Sequence, residues 1–222
     1  MENELIVMNA PKSKVSEMFR TLRSNLQFNS KTYKTFLITS SLSGEGKSFV
    51  SANLAVTFAQ TGKKTLIIDA DMRRGRQHEI FYLNPDKGLS NVLITDVKNE
   101  YSEYIQTTKI ENLDVLTRGI IPPNPSELLN ADSLPTLIKE LENIYDVIIV
   151  DGTPTVALSD ALILASCIKR VAVVTSLNYT PKESFDQTMK ALEAIDCSIA
   201  GVIANNVVSK EKNSAYYEYY TL

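Results

Sequence analysis

The sequence predicts a single α/β domain built on a doubly wound, mostly parallel sheet. Three observations carry that prediction. Apolar runs at residues 36–39, 65–69, 113–116, 147–151, 171–175 and 199–204 are mostly continuous instead of alternating, as strands covered on both faces must be. Helical patterns at residues 47–61, 134–143, 159–166 and 181–195 fall between them, which implies right-handed crossovers. A Gly-rich loop joins the first strand to the first of these helices. Ligands of such sheets lie beyond the C-terminal ends of the strands.

Residues 12–29 read as a helix ahead of the sheet. Val15, Met18, Phe19, Leu22 and Leu26 form one apolar stripe on it. At about 100° per residue, Glu17 and Arg20 lie away from the stripe and Arg23 lies on its flank.

The first strand runs into Ser40-Ser41-Leu42-Ser43-Gly44-Glu45-Gly46-Lys47-Ser48, a phosphate-binding loop. Strand, loop and helix are all needed, because successive backbone N–H groups wrap a phosphate while a helix N-terminus points at it. Residues Ser43, Gly44, Glu45, Gly46, Lys47, Ser48 and Phe49 supply that wrap, and Gly44 and Gly46 let the backbone approach closely. Lys47 is placed to reach the β- and γ-phosphates of ATP, and Ser48 to hold Mg²⁺. The general pattern opens with Gly, where this chain has Ser41.

The second strand ends in Leu66-Ile67-Ile68-Asp69-Ala70-Asp71-Met72-Arg73. Two residues apart in extended chain, Asp69 and Asp71 share a face. Such a pair suits Mg²⁺ coordination and the positioning or deprotonation of an attacking hydroxyl. Which aspartate is base and which is metal ligand is open, as is whether Arg73 fixes one of them or faces solvent. The strand of residues 147–151 carries a third carboxylate at its end, Asp151, followed by Gly152-Thr153-Pro154. With the phosphate-binding loop upstream, that aspartate reads as a further Mg²⁺ ligand.

Composition narrows the partners. With 222 residues, 44% of them hydrophobic, the chain can bury one substantial core. A net charge of −3 argues against a general nucleic-acid surface. No apolar run reaches the roughly 20 residues that span a bilayer, and Met1-Glu2-Asn3-Glu4 lacks a basic leader, so a cytoplasmic location is expected. Cys167 and Cys197 lack metal-ligand spacing and read as reduced thiols. Residues 1–208 make one domain, and residues 209–222, without apolar periodicity, make a mobile tail holding Tyr216, Tyr217, Tyr219 and Tyr220.

Together these motifs resemble the bacterial tyrosine kinases, a deviant P-loop branch related to cell-division and plasmid-partition ATPases. The chain looks like the free-standing kinase domain of Gram-positive capsule and exopolysaccharide operons, and the resemblance covers almost the whole chain. Residues 41–48 match the family's Walker A, residues 66–73 its Walker A′, and residues 147–154 its Walker B. The resemblance implies an ATP- and Mg²⁺-dependent kinase that phosphorylates its own tyrosine tail on a neighbouring copy. Glu17, Arg20 and Arg23 match an ExxRxxR element, implying a ring-like homo-oligomer, with an octamer as one candidate size. Residues 122–129, with three prolines, match the family's proline-containing segment. A membrane activator whose cytoplasmic tail recruits the kinase to the inner membrane face, and an opposing tyrosine phosphatase, are implied too. Relatives use an Asn after the last strand to read adenine, and Asn205 and Asn206 both stand there. The usual Asp-Thr-Pro-Pro is replaced by Asp151-Gly152-Thr153-Pro154, a change in the Walker B loop.

A positioning ATPase of the cell-division or partition type is the alternative from another class, and a nucleotide-binding scaffold without catalysis is a third. Positioning ATPases carry a signature Lys where this chain has Leu42, and they have no use for a tyrosine-rich tail.

Overall fold

The computed structural model describes residues 4–28, 33–95 and 100–207. Seven strands, β1 (Thr35–Ser40), β2 (Thr65–Asp69), β3 (Gln106–Thr107), β4 (Leu113–Leu116), β5 (Val147–Pro154), β6 (Arg170–Ser176) and β7 (Ser198–Asn205), form one sheet in the order β3-β4-β2-β5-β1-β6-β7. Every pairing is parallel except β3 with β4.

Alternation along the strands divides the core between two faces. Phe36, Ile38, Ile67, Ile149, Ala172 and Val174 point to one side; Leu37, Leu66, Ile68, Ile148, Val150, Val171 and Val173 point to the other. The first side is covered by α1 (Ile6–Asn9), α2 (Lys14–Phe28), α3 (Lys47–Ala59) and α4 (Gln77–Phe81). The second is covered by α5 (Leu89–Thr95), α6 (Pro125–Leu129), α7 (Ser133–Leu141), α8 (Asp160–Ile168) and α9 (Lys182–Glu193). Helix α3 is buried almost all round, because α1 and α2 pack over the side it turns away from the sheet. Its Asn53 secures that outer layer, accepting from Val7 N (3.1 Å) and donating to Glu4 O (2.7 Å).

Two expectations need correction. The α2 stripe is not one buried face: Phe19 and Leu26 are buried and Leu22 packs beside them, but Val15 is 42% and Met18 59% exposed. The inward face is rotated toward Ser16 and Arg23. Ser16 Oγ donates to Ala10 O at 2.7 Å, and Arg23 Nη1 to Thr57 O at 2.8 Å. Backbone carbonyls thus draw polar groups inward, which an apolar-stripe argument cannot anticipate.

The second correction concerns residues 152–154, which belong to strand β5 and are not a loop. Ile38 pairs with Asp151, but Ser40 pairs with Pro154, so β5 carries an extra residue there. Gly152 packs closely here: a Cβ on it would lie 2.8 Å from Leu37 Cδ1 and 3.2 Å from Ile38 O, so a larger residue would need Leu37 and the β1 backbone to shift slightly.

Short elements escaped the sequence patterns. Strand β3, helices α1, α4, α5 and α6, and a 3-10 turn at Glu100–Glu103 are too brief to show a period. The tail tyrosines Tyr216, Tyr217, Tyr219 and Tyr220 lie outside the described residues.

Candidate nucleotide and catalytic site

Strand β1 ends at Ser40 and the chain then turns through residues 41–46 into α3. Gly44 (φ 84°) and Gly46 (φ 92°) occupy the left-handed region that other residues enter only at a cost. Gly46 has a second reason to lack a side chain, since a Cβ would sit 2.1 Å from Asn205 Nδ2. Ser41, standing where the general pattern has Gly, is fully buried and hydrogen-bonded to Thr188 Oγ1 of α9 at 2.9 Å.

Glu45 is buried too. Its carboxylate accepts from Leu42 N (2.6 Å) and from the Thr180 hydroxyl, while its carbonyl accepts from Asn205 Nδ2 (2.9 Å). The Glu45 side chain therefore braces the loop from within, leaving the backbone for the phosphates. Asn205 and Asn206 follow different partners. Asn205 is tied to the loop, whereas Asn206 (φ 53°) bonds Ser176 Oγ at 3.3 Å and accepts from Asn178 Nδ2 through its carbonyl. Phe49 turns its ring away, edge-on to Phe19 of α2 at 5.7 Å.

Strands β2 and β5 are neighbours, and Asp69, the last residue of β2, pairs directly with Asp151 within β5. Both carboxyls are fully buried. Burial, reinforced by the charge of Asp151, pushes Asp69 well above the ordinary carboxylate range. Burial also raises Asp151, opposed by hydrogen bonds from Gln77 and Ser48 and by the charge of Lys47. Lys47 itself is only 8% exposed. Ser51 Oγ adds a 3.2 Å bond to Asp151 Oδ1.

Asp71 does not share a strand face with Asp69, because β2 ends at Asp69 and the chain turns. Its Oδ1 accepts from Arg73 N (3.2 Å) and Arg74 N (2.8 Å), fixing a turn that returns Gly75 against the Asp69 carboxylate. Asp71 stays close enough to raise the pKa of both buried aspartates, and it is partly exposed where they are not. Arg73 helps fix Asp71 through its backbone N–H, and its half-exposed side chain turns to a different carboxylate. It pairs with Asp160 Oδ2 of α8 at 3.1 Å, and Asp160 also accepts from Ser126 in the proline-containing segment. Ser126 falls in a segment that the motifs mark, but its link to Asp160 does not show in sequence, and nothing in its sequence setting marks Asp160.

Gln77 was also missed. Wholly buried at the start of α4, it donates through Nε2 to Asp151 Oδ2 (2.7 Å) and Ser48 O (3.2 Å), and through its backbone to Asp69 Oδ2 (3.0 Å). Nothing in its sequence setting marks it, because its partners lie at residues 48, 69 and 151.

The donor set suits Mg²⁺. It consists of oxygens (Ser48, Asp71 and Asp151, with Asp69 behind them), as a hard cation prefers. Two buried oxygens, Asp69 Oδ1 and Gln77 Oε1, have no hydrogen-bond partner, as expected of a place built around hydrating water. Among the described residues no group of three His, Cys, Asp or Glu forms a metal cage, the ordinary case for a cation that shares its ligands with phosphates.

The ExxRxxR side chains sit apart on α2. Arg20 pairs with Glu17 and donates to Pro11 O at 2.7 Å, and both side chains are partly exposed. Burial, then the charge of Arg20, lowers the Arg23 pKa. No described helix is long and apolar enough to cross a membrane.

An AAA domain family matches residues 33–200. The chain is 43% identical over 218 residues to the putative tyrosine-protein kinase CapB of Staphylococcus aureus, covering 97% of this chain and 94% of that one. It is 40% identical over 220 residues to the tyrosine-protein kinase YwqD of Bacillus subtilis, covering 98% and 92%. The crystal structure of the chimerical protein CapA2B2 superimposes with a TM-score of 0.88 at 39% identity, over 93% of this chain and 91% of that one. More distantly, the septum site-determining protein MinD of Pyrococcus horikoshii, complexed with Mg-ADP, gives 0.65 at 25% identity, over 78% and 70%. A P-loop sheet, paired buried aspartates on adjacent strands and end-to-end similarity to both kinases lead to one conclusion: the chain belongs to the bacterial tyrosine-protein kinases of the P-loop NTPase class.

Proposed function

We propose that this chain uses ATP and Mg²⁺ to phosphorylate Tyr216, Tyr217, Tyr219 and Tyr220 on a neighbouring copy, in control of capsule or exopolysaccharide synthesis. The observation that carries the reading is the meeting of Lys47 and Ser48, at the start of α3, with Asp151 of β5, beside the Asp69–Asp71 turn. Phosphoryl transfer asks for charge neutralisation and positioning more than covalent chemistry. Lys47 neutralises the β- and γ-phosphates, and the loop N–H groups orient them. Ser48 and Asp151, with Asp71 at the rim, hold the cation. Mg²⁺, when bound, spreads the charge that develops on the transferred phosphoryl oxygens.

A tyrosine hydroxyl, with an ordinary pKa near about 10, needs a carboxylate to take its proton as the new bond forms. Asp71 is the one that solvent reaches, and Asp69 stands behind it. Asn205 or Asn206, after the likeness of the family, reads the adenine. Glu17, Arg20 and Arg23 mediate ring-like assembly, an octamer being the size tested first. Four phosphates would add roughly −6 to −8 of charge to each tail, enough to expel it and loosen the ring. The membrane partner is an activator whose cytoplasmic tail brings the kinase to the inner membrane face, and a tyrosine phosphatase resets the cycle. Likeness to a chimera named for both CapA and CapB favours such a partner.

Transfer between copies is tested by mixing. A Lys47→Met chain with an intact tail is incubated with an active chain whose four tail tyrosines are Phe, with Mg²⁺-ATP and activator peptide. Phosphotyrosine on the Lys47→Met tail is expected, and its absence, with the unmodified chain active, would overturn transfer in trans.

A further inference from the structure

Gln77 binds the acid pair together, yet one end of it is left over. Its amide orientation is fixed by its partners: the atom near Asp151 Oδ2 and Ser48 O faces two acceptors, so it must be the NH₂ group. Oε1 therefore points elsewhere, buried and without a donor. Asp69 Oδ1 is in the same condition, and Asp69 is held through its other oxygen by the backbone of the same residue. Two buried acceptors on linked groups call for donors, and the water shell of a divalent cation presents only donors outward.

We propose that Gln77 is a positioning residue of the metal–nucleotide site, orienting Asp151 through Nε2 and receiving a cation-bound water at Oε1. The inference rests on the reading that Mg²⁺ and a nucleotide occupy this site. Acting as an outer partner, Gln77 fixes which Asp151 oxygen faces the cation. Its neutral amide does so without adding a third buried negative charge beside Asp69 and Asp151. A residue that served packing alone would fit here with an apolar side chain of equal length and leave no oriented donor on Asp151.

The test is binding, not turnover. Affinity for ADP is measured on the full chain by calorimetry, once with EDTA and once across a Mg²⁺ titration, for the unmodified chain and for Gln77→Met, which keeps length and volume. Gln77→Asn, which keeps an amide but shortens its reach, is run in parallel in case Gln77→Met does not fold. In both variants the Mg²⁺ concentration giving half of the affinity gain should rise about tenfold or more, the usual range for losing an outer partner, and any loss of ADP affinity in EDTA should be smaller than the loss with Mg²⁺. An unchanged Mg²⁺ midpoint, or equal losses with and without Mg²⁺, overturns the role of Gln77 and leaves the site reading standing. Absence of any Mg²⁺-dependent gain in the unmodified chain overturns the site reading, and this inference with it.

Discussion

The pocket at the ends of β1, β2 and β5 and the outer face of α2 use similar charges to opposite effect. In the pocket, Asp69 and Asp151 are fully buried, and the partners of Asp151 come from residues 48, 51 and 77. On α2, Glu17 and Arg20 are three residues apart, partly exposed and paired with each other. An exposed pair of that kind contributes about 0.2–1 kcal/mol. A buried network is costly to break, because each lost partner leaves another group unsatisfied. The pocket is therefore specified by the fold, whereas α2 has polar groups that its own chain scarcely needs.

The sharpest way to break this contrast is at Lys47. Lys47→Met should lower phosphotyrosine formation by about a hundredfold or more, as removal of one transition-state charge partner does elsewhere. A loss of less than tenfold in a kinase assay would mean that Lys47 is not the phosphate partner. Gly46→Ala comes next. The residue would stand at φ 92° with its Cβ on the Asn205 amide, so a cost of about 1–3 kcal/mol is expected in denaturant unfolding, together with weaker nucleotide binding.

A smaller effect is expected on the opposite side of the sheet from α2, where Tyr145 donates to Asp114 Oδ2 at 2.9 Å. Burial, then the Asp114 charge, holds its phenol above the ordinary range. The folded chain therefore keeps this proton when the unfolded chain has lost it, and stability falls as pH rises above about 10. Tyr145→Phe should cost about 0.5–1.5 kcal/mol at pH 7 and flatten that alkaline decline in melting experiments. Arg20→Ala closes the series. It should change monomer stability by no more than about 0.5 kcal/mol, yet reduce assembly measured by light scattering. Lost stability with unchanged assembly would place the function of Arg20 inside its own chain.

The contrast also explains what the sequence made legible. Six strands of the sheet announced themselves as apolar runs, the inner ones because both their faces are buried, whereas β7 is a half-exposed edge; the phosphate-binding loop did so because its residues are contiguous in sequence. Asp69 and Asp151 could be picked from strand ends, but their direct pairing depends on β2 lying beside β5. Gln77, Ser51 and Asp160 could not be picked at all, since each acquires its role from partners far away in the chain. The misread face of α2 has the same origin. Ser16 and Arg23 turn inward because α1 and α3 offer carbonyls, information that a helical period lacks. Gly152, a departure from the family's pattern, stands in strand β5 and packs against Leu37 of the neighbouring strand, which the motif alone does not show.

The most direct test of the account is phosphosite mass spectrometry on the purified chain after Mg²⁺-ATP, with and without an activator peptide, beside Lys47→Met. The account predicts phosphate on Tyr216, Tyr217, Tyr219 or Tyr220 that is absent from the Lys47→Met chain. ATP consumed without phosphotyrosine, even with activator present, would contradict it and favour a nucleotide-driven positioning ATPase on the same fold.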